Sequence, residues 1–188
     1  TAVKNVEQQK AAALTLEALR EFCDDLEDVR SDLLADLHVR SEVWGFGGPS
    51  EVVCLKMLSE ELTDRQRVAV FKELANTPGK STRDDLALDA ILKSIPEEDF
   101  ERIARGELRK VVIVLTDGAS SNKEGAKNAI KALRDKGVIV VAIGITKAAT
   151  GVLPLYNKSH AHLAKTAAET GVAVGDVLGE FIRGLNGQ

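Results

Sequence analysis

The sequence predicts an α/β fold, a three-layer α/β/α sandwich with a mainly parallel central sheet, and one stretch of chain carries most of that prediction. Residues 111–115 are five consecutive apolar residues, as is typical of a strand buried on both faces. Residues 138–145 form a second run of this kind. The chain between the two runs repeats apolar residues at helical spacing, namely Ala126, Ala129, Ile130 and Leu133. A strand, a helix and a strand in this order make a parallel pair joined by a crossover.

The part of the chain before residue 80 predicts two helices and a pair of strands. Apolar residues recur at three- and four-residue steps over residues 4–23, and the period continues as far as Leu37. The elements that follow are predicted as strands at 38–46 and 51–58, separated by a Gly-Gly-Pro-Ser turn, and a helix at 64–75. This second helix is expected to turn Val68, Phe71 and Ala75 inward.

Helices also dominate the prediction for the rest of the chain. One begins near Asp84 and ends at Pro96, and its inward stripe is Ala87, Leu88, Ile91, Leu92 and Ile95. Ser81 or Thr82 is its predicted N-cap, and the two acids of its first turn, Asp84 and Asp85, suit the helix dipole. The last predicted elements are a helix at 162–170, a short strand at 171–174 and a helix at 176–185.

Composition limits the class of protein. A length of 188 residues suits one domain, so residues 1–188 are treated as a single domain. With 44% hydrophobic and 29% charged residues the chain can form a packed core. The net charge of −4 argues against nucleic-acid binding, because phosphate binding favours a basic surface. No apolar run approaches the roughly 18 residues of a membrane span.

The cysteines bear on the compartment. Cys23 and Cys54 are expected to be buried free thiols rather than a disulfide, which favours a cytoplasmic protein. The chain begins at Thr1 rather than at methionine, so we expect a further segment upstream, and that segment could include a signal peptide.

Two polar positions are candidates for a binding site. Asp117 follows the buried run directly, and the carboxyl ends of parallel strands are where open α/β sheets bind ligands. Thr82 precedes the helix that begins at Asp84. Each has a simpler interpretation, since Asp117 could cap the next helix and Thr82 could be an N-cap. A phosphate-binding loop around Gly79-Lys80 is disfavoured, because Leu74 stands where that motif needs glycine.

Together these segments resemble the von Willebrand factor A domain over essentially the whole chain. Members of that family carry a metal-ion-dependent adhesion site built from three loops. Residues 78–86 resemble its second loop, which supplies a threonine, and residues 115–118 resemble its third, which supplies an aspartate. Residues 44–46, Trp-Gly-Phe, resemble the aromatic-ended strand before the second loop. The resemblance implies a Rossmann-like sandwich.

The resemblance also implies a metal site that this chain supplies only in part. Thr82 would offer its hydroxyl to Mg²⁺ (or Mn²⁺ or Ca²⁺), and Asp117 would bind the ion through water. The family's first loop, Asp-x-Ser-x-Ser, does not occur in the chain. We expect that loop and its strand upstream of Thr1, and metal binding only when they complete the site. Lys80, which stands where the family usually has glycine, would weaken a divalent ion nearby.

The resemblance implies protein recognition rather than catalysis. An open position on the ion would take a carboxylate from a protein partner, and the likeness to intracellular members of the family implies an AAA+ ATPase as that partner. The residues expected to face that partner are Ser81, Asp84, Asp85, Ser120 and Ser121. One alternative is an extracellular or surface adhesion module. Another is a hydrolase, for which the sequence offers no specific nucleophile–base pair; the Ser159–His162 segment is interpreted as a surface loop.

The expected missing strand makes a prediction about the sheet. In the family it lies between the strands that correspond to residues 38–46 and 109–116. If those two strands paired directly here, the inferred position of the metal site would be wrong.

Overall fold

The structure, a computed structural model, describes residues 2–28, 38–47, 52–76, 81–145 and 147–183. Its elements in chain order are α1 (Ala2–Asp28), β1 (Ser41–Phe46), β2 (Val52–Ser59), α2 (Asp64–Asn76), α3 (Asp84–Ser94), α4 (Glu97–Ala104), β3 (Val111–Thr116), α5 (Lys123–Asp135), β4 (Ile139–Ile145), α6 (Val152–Tyr156), β5 (Ala161–Ala164) and α7 (Ala167–Arg183). The predicted continuation of α1 to Leu37, the turn at 48–50 and residues 78–80 of the second loop lie outside the described residues.

The strands form two sheets. β3, β4 and β5 are parallel neighbours in that order, with Val111 opposite Ile139 and Ala142 opposite Ala161. β1 and β2 form an antiparallel hairpin whose register shifts between Ser41 and Trp44. The three-stranded sheet confirms the predicted parallel crossover from 111–115 to 138–145.

Helices cover both faces of the parallel sheet, as a three-layer sandwich requires. Val112 and Val114 of β3 belong to a core shared with α3, α5 and α6. Ile113 and Leu115, which alternate with them, pack instead against a second core that includes Ala18 of α1 and Val174 of α7. Within the described residues, no helix is long and apolar enough to cross a membrane.

β1 and β3 do not pair with each other in the described part of the chain. They nevertheless lie on one core, because Trp44 and Phe46 of β1 pack against the cluster that contains Val112 and Val114. The Lys110 ammonium, just before β3, lies 2.7 Å from a carboxylate oxygen of Glu42 on β1. We call the space between Ser41–Phe46 and Val111–Thr116 the β1–β3 slot. The direct pairing that would have contradicted the family-based topology does not occur.

The backbone of β3 offers hydrogen bonds to that slot. The Lys110 carbonyl accepts from the Ile139 amide at 3.0 Å, so residue 110 faces β4. Because backbone groups alternate in direction along a strand, residues 112 and 114 also face β4. The N–H and C=O groups of Val111, Ile113 and Leu115 therefore point away from β4 and into the slot.

The C-terminal prediction was wrong in two respects. Residues 161–164 form β5 rather than a helix, and the segment 171–174 lies inside α7. Thr170, Val174 and Val177 are buried at helical spacing, with exposed fractions of 0%, 1% and 7%. The short apolar run Gly-Val-Ala-Val resembles a strand locally, but its packing against the sheet follows the period of a helix.

The side chains of α2 and the cysteines also differ from expectation. Val70 is the buried residue of α2, at 1% exposure, whereas Val68 and Phe71 are 51% and 41% exposed. The side chain of Ala75 lies outside the described residues. Cys23 and Cys54 are free thiols as predicted, but Cys54 is exposed on the β hairpin and Cys23 is only half-buried.

Candidate functional site

Two loops meet at the carboxyl end of β3. We call residues 81–83 the Thr82 loop and residues 117–122 the Asp117 loop. The Ser121 amide donates to the Thr82 carbonyl at 2.8 Å, and the Thr82 amide donates to the Ser121 hydroxyl at 3.0 Å. These reciprocal hydrogen bonds hold together two segments that are 39 residues apart in sequence. The structure thus brings the loops of Thr82 and Asp117 side by side.

A tight turn sets the direction of the chain after β3. The hydroxyl of Thr116, a residue 3% exposed, donates to the Gly118 carbonyl at 3.1 Å and lies 3.3 Å from the Gly118 amide. A Cβ placed on Gly118 would lie 3.4 Å from the Thr82 hydroxyl oxygen. The Thr82 hydroxyl therefore lies directly against the turn that follows Asp117. Both Thr82 and Asp117 are half-buried.

The donors at this point are all oxygen atoms, which suits a hard divalent cation. Thr82 contributes a hydroxyl and Asp117 a carboxylate. Ser120 lies close by but is only 8% exposed, and its hydroxyl accepts from the Asn122 amide at 3.3 Å. No group of three His, Cys, Asp or Glu side chains gathers as a metal site in the described residues. The donors present thus suit such an ion by type but are fewer than the six oxygen atoms that Mg²⁺ requires.

Asp85 links the bases of the two loops. Its carboxylate accepts from the Arg83 guanidinium at 2.9 and 3.1 Å and from the Asn122 side-chain amide at 2.9 Å. Asn122 in turn caps α5, because its side-chain oxygen accepts from the Gly125 amide at 3.1 Å. The Arg83 guanidinium, with help from Asn122, holds the pKa of the Asp85 carboxyl below its usual range. Asp85 therefore joins the start of α3 to the start of α5.

Asp84 points into the interior instead. Only 1% of it is exposed, and its Oδ2 accepts from the Tyr156 hydroxyl at 2.9 Å. Its Oδ1 has no hydrogen-bond partner among the described residues. Burial, together with the charge of Asp84, raises the pKa of the Tyr156 phenol, so that group remains a donor. The Tyr156 carbonyl accepts from Arg134 at 2.8 Å, which ties α6 to α5.

The residues expected to face a partner thus divide into two sets. Ser81 and Ser121 are exposed, whereas Ser120 is largely buried. Asp84 and Asp85 are 1% and 6% exposed, and their carboxylates serve neighbouring side chains. The helix N-cap position is Arg83, without a side-chain cap, rather than Ser81 or Thr82.

Sequence reasoning missed the contacts that Asn122 and Tyr156 make with Asp85 and Asp84. Asn122 had a local signal, since an asparagine before an amphipathic helix is a favoured N-cap. Tyr156 had none, because its contact with Asp84 spans 72 residues of sequence.

The Asp85 contacts predict that the free energy of unfolding depends on pH in the acid range. Because the folded pKa of Asp85 lies below its unfolded value, its contribution is complete above the unfolded pKa and is lost as pH falls through the folded pKa. Asp85→Asn should lower the free energy of unfolding by about 1–3 kcal/mol at pH 7, and the deficit should shrink below pH of about 4. Urea unfolding at pH 7 and pH 3 measures this, with the exposed Asp135→Asn as control. A deficit that is equal at both pH values would contradict the assignment.

Comparison with known proteins shows the family to which the chain belongs. The profile of the von Willebrand factor type A domain matches residues 5–173. Among solved structures, that of manganese-loaded TRAP protein from Plasmodium vivax is similar, with 21% sequence identity and a TM-score of 0.49. That match covers 74% of this chain and 56% of the TRAP chain. No curated protein gave a significant match. Since the family profile covers most of its length, the chain belongs to the von Willebrand factor type A domain family.

Proposed function

We propose that this protein is a recognition module that binds a partner protein through a divalent cation held between the Thr82 and Asp117 loops. The observation that carries the proposal is the pair of hydrogen bonds between Thr82 and Ser121, at 2.8 and 3.0 Å. They fix a hydroxyl and a carboxylate on neighbouring loops at the carboxyl end of the parallel sheet, where such folds bind ligands.

Each residue has a definite task in this proposal. Thr82 supplies a neutral oxygen, and Asp117 supplies the negative charge that attracts Mg²⁺, Mn²⁺ or Ca²⁺. Ser121 holds the Thr82 backbone in place, and Gly118 leaves room for the Thr82 hydroxyl. A bound ion provides a site for a carboxylate of the partner. Ser81 and Ser121 are exposed beside that position and would contact the partner.

The remaining ligands would come with a strand that fills the β1–β3 slot. Two features support this part of the proposal, which are the absence of a β1–β3 ladder in the described residues and the outward backbone groups of β3. A strand that lies parallel to β3 would end beside Asp117, because the carboxyl ends of parallel strands meet at one edge. An Asp-x-Ser-x-Ser loop after that strand would supply three more oxygen ligands.

We propose a cytoplasmic, non-catalytic protein whose partner is an AAA+ ATPase, and this rests on the sequence resemblance. A hydrolase is the less favoured alternative. The Ser159 hydroxyl oxygen lies 2.9 Å from Nδ1 of His160. Burial and the nearby Arg134 and His162 lower the pKa of the His160 imidazole. A serine–histidine pair needs an acid that orients the imidazole and stabilises its charged form.

Calorimetry with Mg²⁺ on the full-length protein tests the cation site. Asp117→Ala should weaken Mg²⁺ binding at least about tenfold, because the ion loses its attracting charge. Asp89→Asn on the exposed side of α3 is the matched control and should bind like the wild type. Equal affinities in Asp117→Ala and wild type would remove Asp117 from the site.

The open coordination position can be tested in the same protein loaded with Mn²⁺. Water-proton relaxation reports water on the bound ion, and acetate serves as the simplest partner carboxylate. Acetate should lower the relaxation enhancement in the wild type. No response to acetate would count against a carboxylate-binding position.

A further inference from the structure

Asp84 carries an oxygen atom that nothing described satisfies. The residue is 1% exposed, and its Oδ1 lacks a hydrogen-bond partner while its Oδ2 accepts from Tyr156. A buried polar atom without a partner costs about 1–3 kcal/mol, and native structures satisfy most such atoms.

The position of Asp84 indicates where the partner comes from. Asp84 stands two residues after Thr82, in the first turn of α3. α3 packs both on α5, which follows the Asp117 loop, and on β1, which borders the slot. The tyrosine that holds Oδ2 approaches from α6, so the known contact belongs to a different element.

We infer that Asp84 is a positioning residue whose Oδ1 accepts a hydrogen bond from a donor that arrives when the site is completed. The inference rests on the proposed function. The donor is an O–H or N–H group, either a water molecule of the bound cation or a group of the segment that fills the slot. In both cases the new bond fixes the first turn of α3, and with it the Thr82 hydroxyl.

If Asp84 serves only to hold Tyr156, it has no second donor. Two substitutions distinguish this purely structural role from the inferred one. Tyr156→Phe removes the only donor described for Asp84. If no other donor exists, Asp84 is then a buried and wholly unpaired carboxylate, and adding Asp84→Leu should stabilise the protein. If a second donor exists, Asp84→Leu leaves that donor unpaired and should destabilise the protein.

The experiment is urea unfolding of the full-length protein as wild type, Tyr156→Phe, and Tyr156→Phe with Asp84→Leu, each in EDTA and in excess Mg²⁺. We expect Asp84→Leu to raise the unfolding equilibrium constant at least about tenfold over Tyr156→Phe alone. A rise in Mg²⁺ only identifies a water of the cation as the donor, and a rise in both conditions identifies the slot segment. An unfolding constant that is unchanged or lower in both conditions overturns the inference.

Failure of the cation proposal is visible separately. If Mg²⁺ does not stabilise the wild type, the cation site fails, because a ligand of the folded state must shift its stability. The comparison in EDTA still decides Asp84 in that case. A tenfold rise there supports a donor from the slot segment, and no rise overturns the inference.

Discussion

With a strand in the β1–β3 slot, the amides of Ile113 and Leu115 should exchange with solvent as slowly as those of Val112 and Val114. With the slot empty they should exchange at least about a hundredfold faster. The reason is the direction of the β3 backbone. Val112 and Val114 face β4, whereas Ile113 and Leu115 face the β1–β3 slot. A strand in the slot would hydrogen-bond to the amides of Ile113 and Leu115 and so protect them from exchange.

Hydrogen exchange followed by NMR gives this result residue by residue, and the two amide pairs control for each other within one strand. The expected effect is large because several backbone groups are involved. Each unpaired buried group costs about 1–3 kcal/mol, and a whole domain is stable by only about 5–15 kcal/mol. Fast exchange at Ile113 and Leu115 in the full-length protein would show that the slot is not filled by a strand.

Lys56→Ala should lower the free energy of unfolding by about 1–3 kcal/mol, the range for leaving buried polar groups without a hydrogen-bond partner. Lys56 lies in β2 with 4% exposure, and burial lowers the pKa of its ammonium. The ammonium donates to the Ser41 carbonyl at 2.6 Å, to the Ser59 hydroxyl at 3.1 Å, and to the carbonyls of Met57 and Ser59, each at 3.3 Å. Truncation would leave these acceptors without a donor beneath the hairpin.

Urea unfolding of Lys56→Ala and Lys56→Met separates the two parts of this effect. Methionine keeps most of the apolar stem, so the difference between the variants measures packing, and the shared loss measures the hydrogen bonds. Lys72→Ala on the exposed face of α2 is the control and should change stability by less than about 0.5 kcal/mol. A Lys56→Ala protein as stable as this control would contradict the role of Lys56.

The central part of the fold was predictable because its signals are local. β3 and β4 begin and end within two residues of the predicted limits, and α5 contains the four apolar residues of the predicted helical stripe. The strand prediction for residues 171–174 was wrong because four small apolar residues fit either a strand or a helix. Only the burial of Val174 and Val177 against the sheet decides between them.

The proximity of the Thr82 and Asp117 loops was predictable from the sequence, but the side-chain contacts beneath them were not. The pairing of the Thr82 and Asp117 loops follows from the family resemblance and from the rule that ligands bind at the carboxyl ends of parallel strands. The inward direction of Asp84 and Asp85 does not follow, because acids in a first helical turn suit the dipole whether exposed or buried. Their partners Tyr156 and Asn122 lie 72 and 37 residues away in sequence.

The β1–β2 hairpin has a consequence for self-association. In the described residues β2 pairs only with β1, and its surface exposes Val53 and Met57, the latter at 80%. A strand of this kind invites a second chain to add to it and so begin aggregation. Natural proteins discourage such addition with inward-pointing charges and with bulges that twist the strand. Lys56 and the register shift in β1 supply both devices. The hairpin can therefore keep an apolar surface and still resist the edge-to-edge addition of a strand from a second molecule.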